Sequence, residues 1–231
     1  MKLDLYDKEI KCPVCKNIFH SKKVKSSACR IEKRDPDFCV YYHSENPNFY
    51  GVYVCPMCGY AAMENVFEEI NGQGKKIIEE TVMRRWVQRS FGEQRTVYDA
   101  IETHKLALLC GQILNQKKGV LGSICLRLTW FHRFINSERE FEFMKHAVAC
   151  FEDAFFNEPL PVGNLDEVTM LYLIGELKRR LGEYEEAIEW FNKAINNRNI
   201  KLKKKLDEQT REQWRLAKEE YSKIKESIQV G

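Results

Sequence analysis

The sequence predicts an α+β fold that is mostly α: a small N-terminal module of short strands and turns, then stacked antiparallel helix pairs closed by a C-terminal capping helix. Three observations predict it. Six of the nine cysteines lie within the first 58 residues, four of them in two Cys-Pro-x-Cys pairs. From about Ala61 the apolar pattern changes from short β-favouring runs to a helical period. Beyond that point an alanine–aromatic–alanine spacing recurs three times. Residues 1–64 are therefore expected to form the cysteine module and residues 65–231 the helical domain.

Within the module, Gly51-Val52-Tyr53-Val54 is rich in β-favouring residues, and Ile18-Phe19-His20 reads as a second short strand. Ala28 to Arg34 alternates weakly. Asp35-Pro36-Asp37 and Asn46-Pro47-Asn48 are turn signals. In the helical domain, Phe67, Ile70, Ile77, Ile78, Val82, Trp86 and Val87 suit helices, with a break expected at Asn71-Gly72-Gln73-Gly74.

The recurring triplets are Ala100–His104–Ala107, Ala147–Phe151–Ala154 and Ala187–Phe191–Ala194. Each first alanine is followed by a β-branched residue: Ile101, Val148 and Ile188. Small residues seven apart let a neighbouring helix approach, and the bulky residue between them fills the groove. Each triplet thus reads as the second helix of an antiparallel pair. The third copy is the fullest: Leu171-x2-Ile174-Gly175, then Gly182-x-Tyr184-x2-Ala187-x3-Phe191-x2-Ala194. It resembles the tetratricopeptide repeat, departing from it at Lys178, where an aromatic is usual, and at Asn199, where proline would end the unit. After it, Leu206, Thr210, Trp214, Ala217, Tyr221, Ile224 and Ile228 make one helical stripe opposite Asp207, Glu208, Arg211, Glu212, Lys218, Glu219 and Lys225. A one-sided terminal helix is what a stacked array needs to cover its last groove.

Charge excludes little and hydropathy excludes more. With 37 basic and 34 acidic residues the net charge is +3, too slight to imply a nucleic acid or a membrane surface. The longest apolar stretch, around Leu106 to Cys110, is far short of the roughly 20 residues of a membrane span. The N-terminal residues carry charge and lead into no apolar stretch, so no secretory signal is read. With that, an odd number of cysteines points to a reducing, cytoplasmic setting.

Cys12-Pro13-Val14-Cys15 and Cys55-Pro56-Met57-Cys58-Gly59 carry the strongest chemical signal. Two residues between cysteines let a tight turn aim both sulfurs at one ion, with nearby backbone N–H groups bonding the sulfurs. Proline presets φ in the turn, and Gly59 accepts the positive φ that closes it; Lys16 fills that place in the first pair. Four thiolates with no open position match one structural tetrahedral Zn²⁺ held by Cys12, Cys15, Cys55 and Cys58. Iron, or redox-active or free thiols, are the alternatives. Cys39 and His43 stand four apart between Pro36 and Pro47, where a helix to present them is not expected. Cys29 reads as a plain strand or turn residue, and Cys110, Cys125 and Cys150 as small core residues.

Over nearly its whole length the chain resembles the bacterial family called domain of unknown function 2225. The residues that carry the resemblance are the first Cys-Pro-x-Cys, Lys33-Arg34-Asp35-x-Asp37-Phe38, Asn46-Pro47-x2-Tyr50, Val54-Cys55-Pro56-x-Cys58-Gly59-Tyr60-Ala61, Arg95-Thr96-x3-Ala100-Ile101, Leu126-Arg127-Leu128-x-Trp130 and Gly182-x-Tyr184-x2-Ala187. The resemblance implies a zinc-ribbon-like head on a tetratricopeptide-like body in the cytoplasm. The family's name carries no activity.

No catalytic motif is present. Gly72-Gln73-Gly74-Lys75-Lys76 lacks the spacing and the hydroxyl of a phosphate loop and reads as a loop, and neither a Gly-x-Ser-x-Gly nor a His-Glu-x2-His occurs. The expectation is a non-enzymatic adaptor that binds a protein or peptide through its helical surface. The tetratricopeptide resemblance places Thr169, Tyr172, Glu176, Arg179 and Arg180 toward the groove, the arginines being suited to a partner's carboxylate. The alternative is nucleic-acid binding by the head, with Lys22, Lys23, Lys25, Arg30, Lys33 and Arg34 as the basic surface and Phe38, Tyr41, Tyr42, Phe49 and Tyr50 as stacking faces. A lesser one is a thiol switch in which oxidation ejects zinc. Neither a partner's identity nor an oligomeric state is written in the pattern.

Overall fold

The computed structural model describes residues 4–229, with side chains through Ser227. Two compact units form, neither continuous in sequence. The first contains the residues up to Arg34, Cys39–Gln116 and Ser123–Phe143; the second contains Asp35–Phe38, Lys117–Gly122 and the residues from Met144 onward. Residue 64, the expected end of the head, falls inside the first unit.

The first unit is built on three two-stranded antiparallel pairs: β1 (Leu5–Lys11) with β2 (Ile18–Val24), β3 (Ile31–Arg34) with β4 (Val40–Tyr42), and β5 (Val52–Val54) with β6 (Ala61–Met63). β1 carries Leu-Tyr-Asp-Lys-Glu-Ile-Lys, and of these only Ile10 is buried. Cross-strand pairs support it: Asp7 stands opposite Lys22 at 2.8 Å as an ion pair, Glu9 stands opposite His20 at 3.8 Å, and Ile10 pairs with Phe19. β5 and β6 are buried throughout.

α1 spans Gly72–Thr81, and its start corrects two expectations. The Asn-Gly-Gln-Gly stretch is not a break or a loop but the helix N-terminus, where the Asn71 side chain accepts a 2.8 Å hydrogen bond from the Gly74 N–H. Phe67 precedes the helix and belongs to the strand module, packing edge-on against Phe19 and Tyr53. Trp86 and Val87 lie beyond a 3₁₀ turn at Met83–Arg85, Trp86 in extended backbone. A few apolar residues at helical spacing serve a loop core equally well, so so short a pattern does not fix the boundary.

α2 (Val97–Ile113) begins at a capping box in which Thr96 and Asp99 each bond the other's backbone N–H. It packs on β5 and β6, which its small residues Ala100 and Ala107 permit. Just before it, Arg95 is 5% exposed and donates to the carbonyls of Phe49, Val52 and Phe91 and to Ser21 Oγ. This one guanidinium ties β2, β5 and the turn at Pro47–Tyr50 to the start of α2.

α3 (Lys118–Phe134) and α4 (Arg139–Asn157) follow. In the second unit α5 (Glu167–Arg180) and α6 (Tyr184–Asn196) are joined by a turn through Gly182, whose φ of +80° suits glycine. All nine residues of the three alanine–aromatic–alanine triplets are 0–1% exposed. Two of the contacts repeat. A Cβ on Gly122 of α3 would stand 2.9 Å from the Phe151 ring of α4, and a Cβ on Gly175 of α5 would stand 2.9 Å from the Phe191 ring of α6. The glycine lets the aromatic ring lie directly on the backbone of the partner helix.

Lys178, at the position that departs from the repeat, is only 4% exposed. It reaches Glu152 at 3.1 Å, Glu183 at 3.2 Å and Glu186. An ammonium bridging α4, α6 and the turn between α5 and α6 thus stands where an aromatic would pack. α7 (Lys204–Gln229) lies along α6, burying Thr210, Gln213 and Ala217. Ala217 clusters with Tyr172, Ala187 and Phe191, and Ile188, Leu206 and Trp214 pack against them. The expected stripe is thus buried at its centre and opens at Ile224, 42% exposed; Ile228 falls outside the described side chains. No helix among the described residues is long and apolar enough to cross a membrane.

Candidate metal centre

The two Cys-Pro-x-Cys segments fold into the same turn. In the first, the Cys12 N–H donates to the Asn17 carbonyl at 2.9 Å and the Lys16 N–H to the Cys12 carbonyl at 3.1 Å. In the second, the Cys55 N–H donates to the Tyr60 carbonyl at 2.9 Å and the Gly59 N–H to the Cys55 carbonyl at 2.9 Å. Both turns close through a residue of positive φ, Lys16 at +65° and Gly59 at +74°. The first turn joins β1 to β2 and the second joins β5 to β6, so two hairpin ends supply the four thiols.

Two features lock the turns. Lys16, in a backbone region costly for a residue with a Cβ, folds its ammonium back to the Pro13 carbonyl at 2.8 Å. At the second turn, a Cβ on residue 59 would stand 2.5 Å from the Trp86 indole, whose Nε1–H donates to the Pro56 carbonyl at 2.8 Å. Gly59 is therefore required twice, by its φ and by the indole lying on it.

The four sulfurs converge. All lie within 4.8 Å of one another, with Cys12 and Cys58 at 3.6 Å and Cys15 and Cys55 at 3.5 Å. Those distances exclude disulfides, and all nine cysteines are free. A tetrahedral ion with 2.3 Å bonds to sulfur needs sulfurs about 3.8 Å apart, so the cluster fits one ion after small adjustment. Cys12, Cys55 and Cys58 are 0% exposed and Cys15 is half-buried. Backbone N–H groups point at the sulfurs: Cys15 at Cys12, Met57 and Cys58 at Cys55, and Tyr60 at Cys58. Such donors stabilise thiolates.

Packed thiols alone are in electrostatic conflict. Cys12 is pushed up to about 12, foremost by its bond with Cys55, with burial adding to it. Cys58 is pushed up by its bonds to Cys12 and Cys55 and by burial. Cys55 is held down because Cys12 and Cys58 donate to it. A divalent cation bound among the sulfurs would relieve that conflict and favour thiolates. Among the described residues this is the one grouping of three or more histidine, cysteine or acidic side chains with metal-binding proximity. Cys39 is buried and His43 exposed, both outside the cluster.

A family described as "Uncharacterized protein conserved in bacteria (DUF2225)" matches residues 5–217, from β1 through both cysteine turns to about the middle of α7. The chain belongs to this family. No curated protein and no solved structure matched it.

Of the residues expected on the α5 surface, Glu176, Arg179 and Arg180 form one connected group. Glu176 is 0% exposed and bracketed by two guanidiniums: Arg179 bonds it at 2.9 and 3.2 Å and Arg180 at 2.7 Å. Arg179 also reaches Glu220 of α7 at 3.2 Å. Tyr172 is 0% exposed, and Thr169 bonds Asp166 and accepts from Lys203 at 2.9 Å. Sequence reasoning did not foresee what lies against them. The Asp35–Phe38 turn packs on α5, with the Tyr172 hydroxyl donating to the Pro36 carbonyl at 2.8 Å and Arg180 reaching Asp37 at 3.8 Å. Elsewhere in the insert, Lys22 is paired with Asp7 and Lys23 with Glu64, Tyr41 packs on Phe134, and Phe49 packs on Phe131.

Proposed function

We propose that this chain is a non-enzymatic, cytoplasmic adaptor: one structural Zn²⁺ held by Cys12, Cys15, Cys55 and Cys58 fixes its head, and the surface of α5 and α7 binds a protein partner. The observation that carries the reading is the α5 surface itself. Tyr172 and Arg180 already face a short peptide segment, the Asp35–Phe38 turn, and Glu176 holds the Arg179 and Arg180 guanidiniums beside it. Arginine recognises carboxylates with defined geometry, and a tyrosine supplies a ring and a donor at one place. Zinc would supply folding free energy, joining two hairpin ends that are 39 residues apart in sequence. With four thiolate ligands it would keep no position for a substrate, which suits a structural role. The use of the insert's aromatic rings and lysines in internal contacts weighs for this reading over nucleic-acid binding.

Two measurements test it. Elemental analysis of purified protein should give one zinc per chain, lost on Cys55→Ser with Cys58→Ser and unchanged on Cys39→Ala. Affinity capture from the native bacterial cytoplasm should retain a partner on the wild-type chain. That partner should be lost when Arg179 and Arg180 become alanine in a chain that keeps its zinc. Capture indifferent to both arginines would sink the α5 surface as the adaptor site.

A further inference from the structure

The chain's own Asp35–Phe38 segment occupies the α5–α7 surface in the manner of a bound ligand. Its residues are held by different features of the helices. The Pro36 carbonyl accepts from Tyr172 Oη of α5 at 2.8 Å and from Gln209 Nε2 of α7 at 3.2 Å. The Asp37 carboxylate is 0% exposed and faces Arg180 at 3.8 Å. The Phe38 ring lies 5.4 Å from the Tyr172 ring and packs against the cluster of Tyr172, Ala187, Phe191 and Ala217. The segment is bent by a Phe38 N–H to Asp35 carbonyl bond of 3.0 Å. Phe38 itself has a φ of +67°, a region that a residue with a large side chain enters only when its surroundings hold it there. A turn of four residues read through a carbonyl, a carboxylate and a ring has the size and chemistry of a linear recognition motif.

We infer that the α5–α7 surface is a peptide-recognition site specific for a proline–acidic–aromatic turn, and that Asp35–Phe38 is its resident occupant, which a partner bearing such a turn must displace. The inference rests on the adaptor reading and adds to it the ligand's chemistry and a built-in competitor. A tethered occupant acts at an effective concentration in the millimolar range, so an external peptide of equal intrinsic affinity competes poorly. If the site is open in 1–10% of molecules, the apparent affinity for a partner falls roughly 10- to 100-fold, and vacating the site restores it.

The probe is a synthetic octapeptide of residues 33–40, with serine in place of Cys39, carrying an N-terminal fluorophore. Its binding is followed by anisotropy on the full zinc-loaded chain and on the Asp37→Ser, Phe38→Gly chain. Glycine keeps the left-handed turn while removing the ring. Binding at least 10-fold tighter on the substituted chain is expected. It should be lost when the peptide's aspartate and phenylalanine after proline become alanine, or when Arg180→Ala is added. A second arm uses the wild-type chain: millimolar peptide should raise exchange at the amides of Asp35, Asp37 and Phe38 by displacing them. This arm decides alone if the substituted chain does not fold. No binding in the first arm with a folded chain, or no rise in exchange in the second, overturns the inference and leaves Asp35–Phe38 a structural turn. Partner capture through Arg179 and Arg180 would survive that outcome, so failure of the peptide is distinguishable from failure of the adaptor reading.

Discussion

In the first unit the buried polar groups include thiols, Arg95, two histidines and several hydroxyls, whereas the second sets a few buried charged groups, Glu176, Lys178 and Asp37, among close glycine–phenylalanine and alanine contacts. Arg95 alone satisfies four acceptors drawn from the loops and strands around it. His104 occupies the aromatic place of the first triplet, 0% exposed, with Nδ1 on the Ala100 carbonyl at 2.8 Å and no partner at Nε2. In the second unit Phe151 and Phe191 fill the same place with hydrocarbon. The first unit thus leans on directional bonds to buried polar groups, and an ion held by the four sulfurs would add to them. The helix pairs of the second lean more on shape at their glycine–phenylalanine seams. The two regions should therefore fail under different insults.

Metal removal should show the largest difference. Zinc binding in isolated modules is worth ~10–16 kcal/mol, and here the site would join the β1–β2 hairpin to the β5–β6 hairpin on which α2 packs. Chelation, or Cys55→Ser with Cys58→Ser, should abolish amide-exchange protection in β1–β6 and α2. α5, α6 and α7 should keep theirs. Uniform loss along the chain would break the comparison.

The converse insult is a charge in the helix stack. Ala187→Glu puts a carboxylate at a 0% exposed position beside Phe191 and Ala217, at a cost of several kcal/mol, roughly 3–5. The melting temperature of α5–α7 should fall by many degrees while the metal content of the chain stays that of the wild type. A milder form is Gly175→Ala, whose Cβ meets the Phe191 ring at 2.9 Å and should cost ~1–3 kcal/mol despite alanine's helix preference.

Acid separates the regions again. Burial first, then the charge of Arg127, hold His104 well below its ordinary value, so it is neutral when folded. An unfolded histidine takes up a proton below about pH 6.5 and the folded one does not. Stability from this group is thus present above pH 6.5 and lost as pH falls, with a slope of up to ~1.4 kcal/mol per pH unit. His104→Phe should remove that slope, measured by denaturant titration from pH 7 to 5. Glu64 adds a second, lower window. Burial alone would raise it, but hydrogen bonds from Lys23 and Tyr53, with Lys8 helping, hold it at about 2. Its contribution is present above pH 4.5 and lost between there and pH 2. Because its side chain is 36% exposed, that contribution is screened to about 1 kcal/mol.

The smallest effect compares the two cysteine turns. Lys16→Gly relieves a Cβ in a left-handed position but removes the ammonium that ties the turn to Pro13, so stability should change by less than about 1 kcal/mol. Gly59→Ala meets the Trp86 ring and should cost several times more. Equal effects would mean that the indole does not restrain the second turn.

The cysteine turns were legible because their chemistry is local: two thiols, a proline and a left-handed closing residue lie within five positions. The triplets were legible because helical packing repeats. The role of Trp86 was not, since its acceptor is a carbonyl 30 residues upstream and carbonyls leave no mark in a sequence. Arg95 was hidden for the same reason. β1 escaped because cross-strand pairs, not an alternating apolar face, support it. Asp35-Pro36-Asp37 was legible as a turn, but its destination depends on Tyr172 and Gln209, more than 130 residues away.

The distance between the cysteine turns also has a consequence for how the protein is made. Cys12 and Cys15 leave the ribosome first, and 39 residues separate Cys15 from Cys55. At ~5–20 residues per second, the nascent chain displays half a site for roughly 2–8 s. During that interval a vicinal dithiol stands ready for any soft ion or oxidant it meets. The lysine that closes the first turn, tethered to the Pro13 carbonyl, can shape that half before its mate exists, whereas the glycine that closes the second must await Trp86, which emerges later still. The order of the two turns along the chain thus decides which half of the site is shaped first.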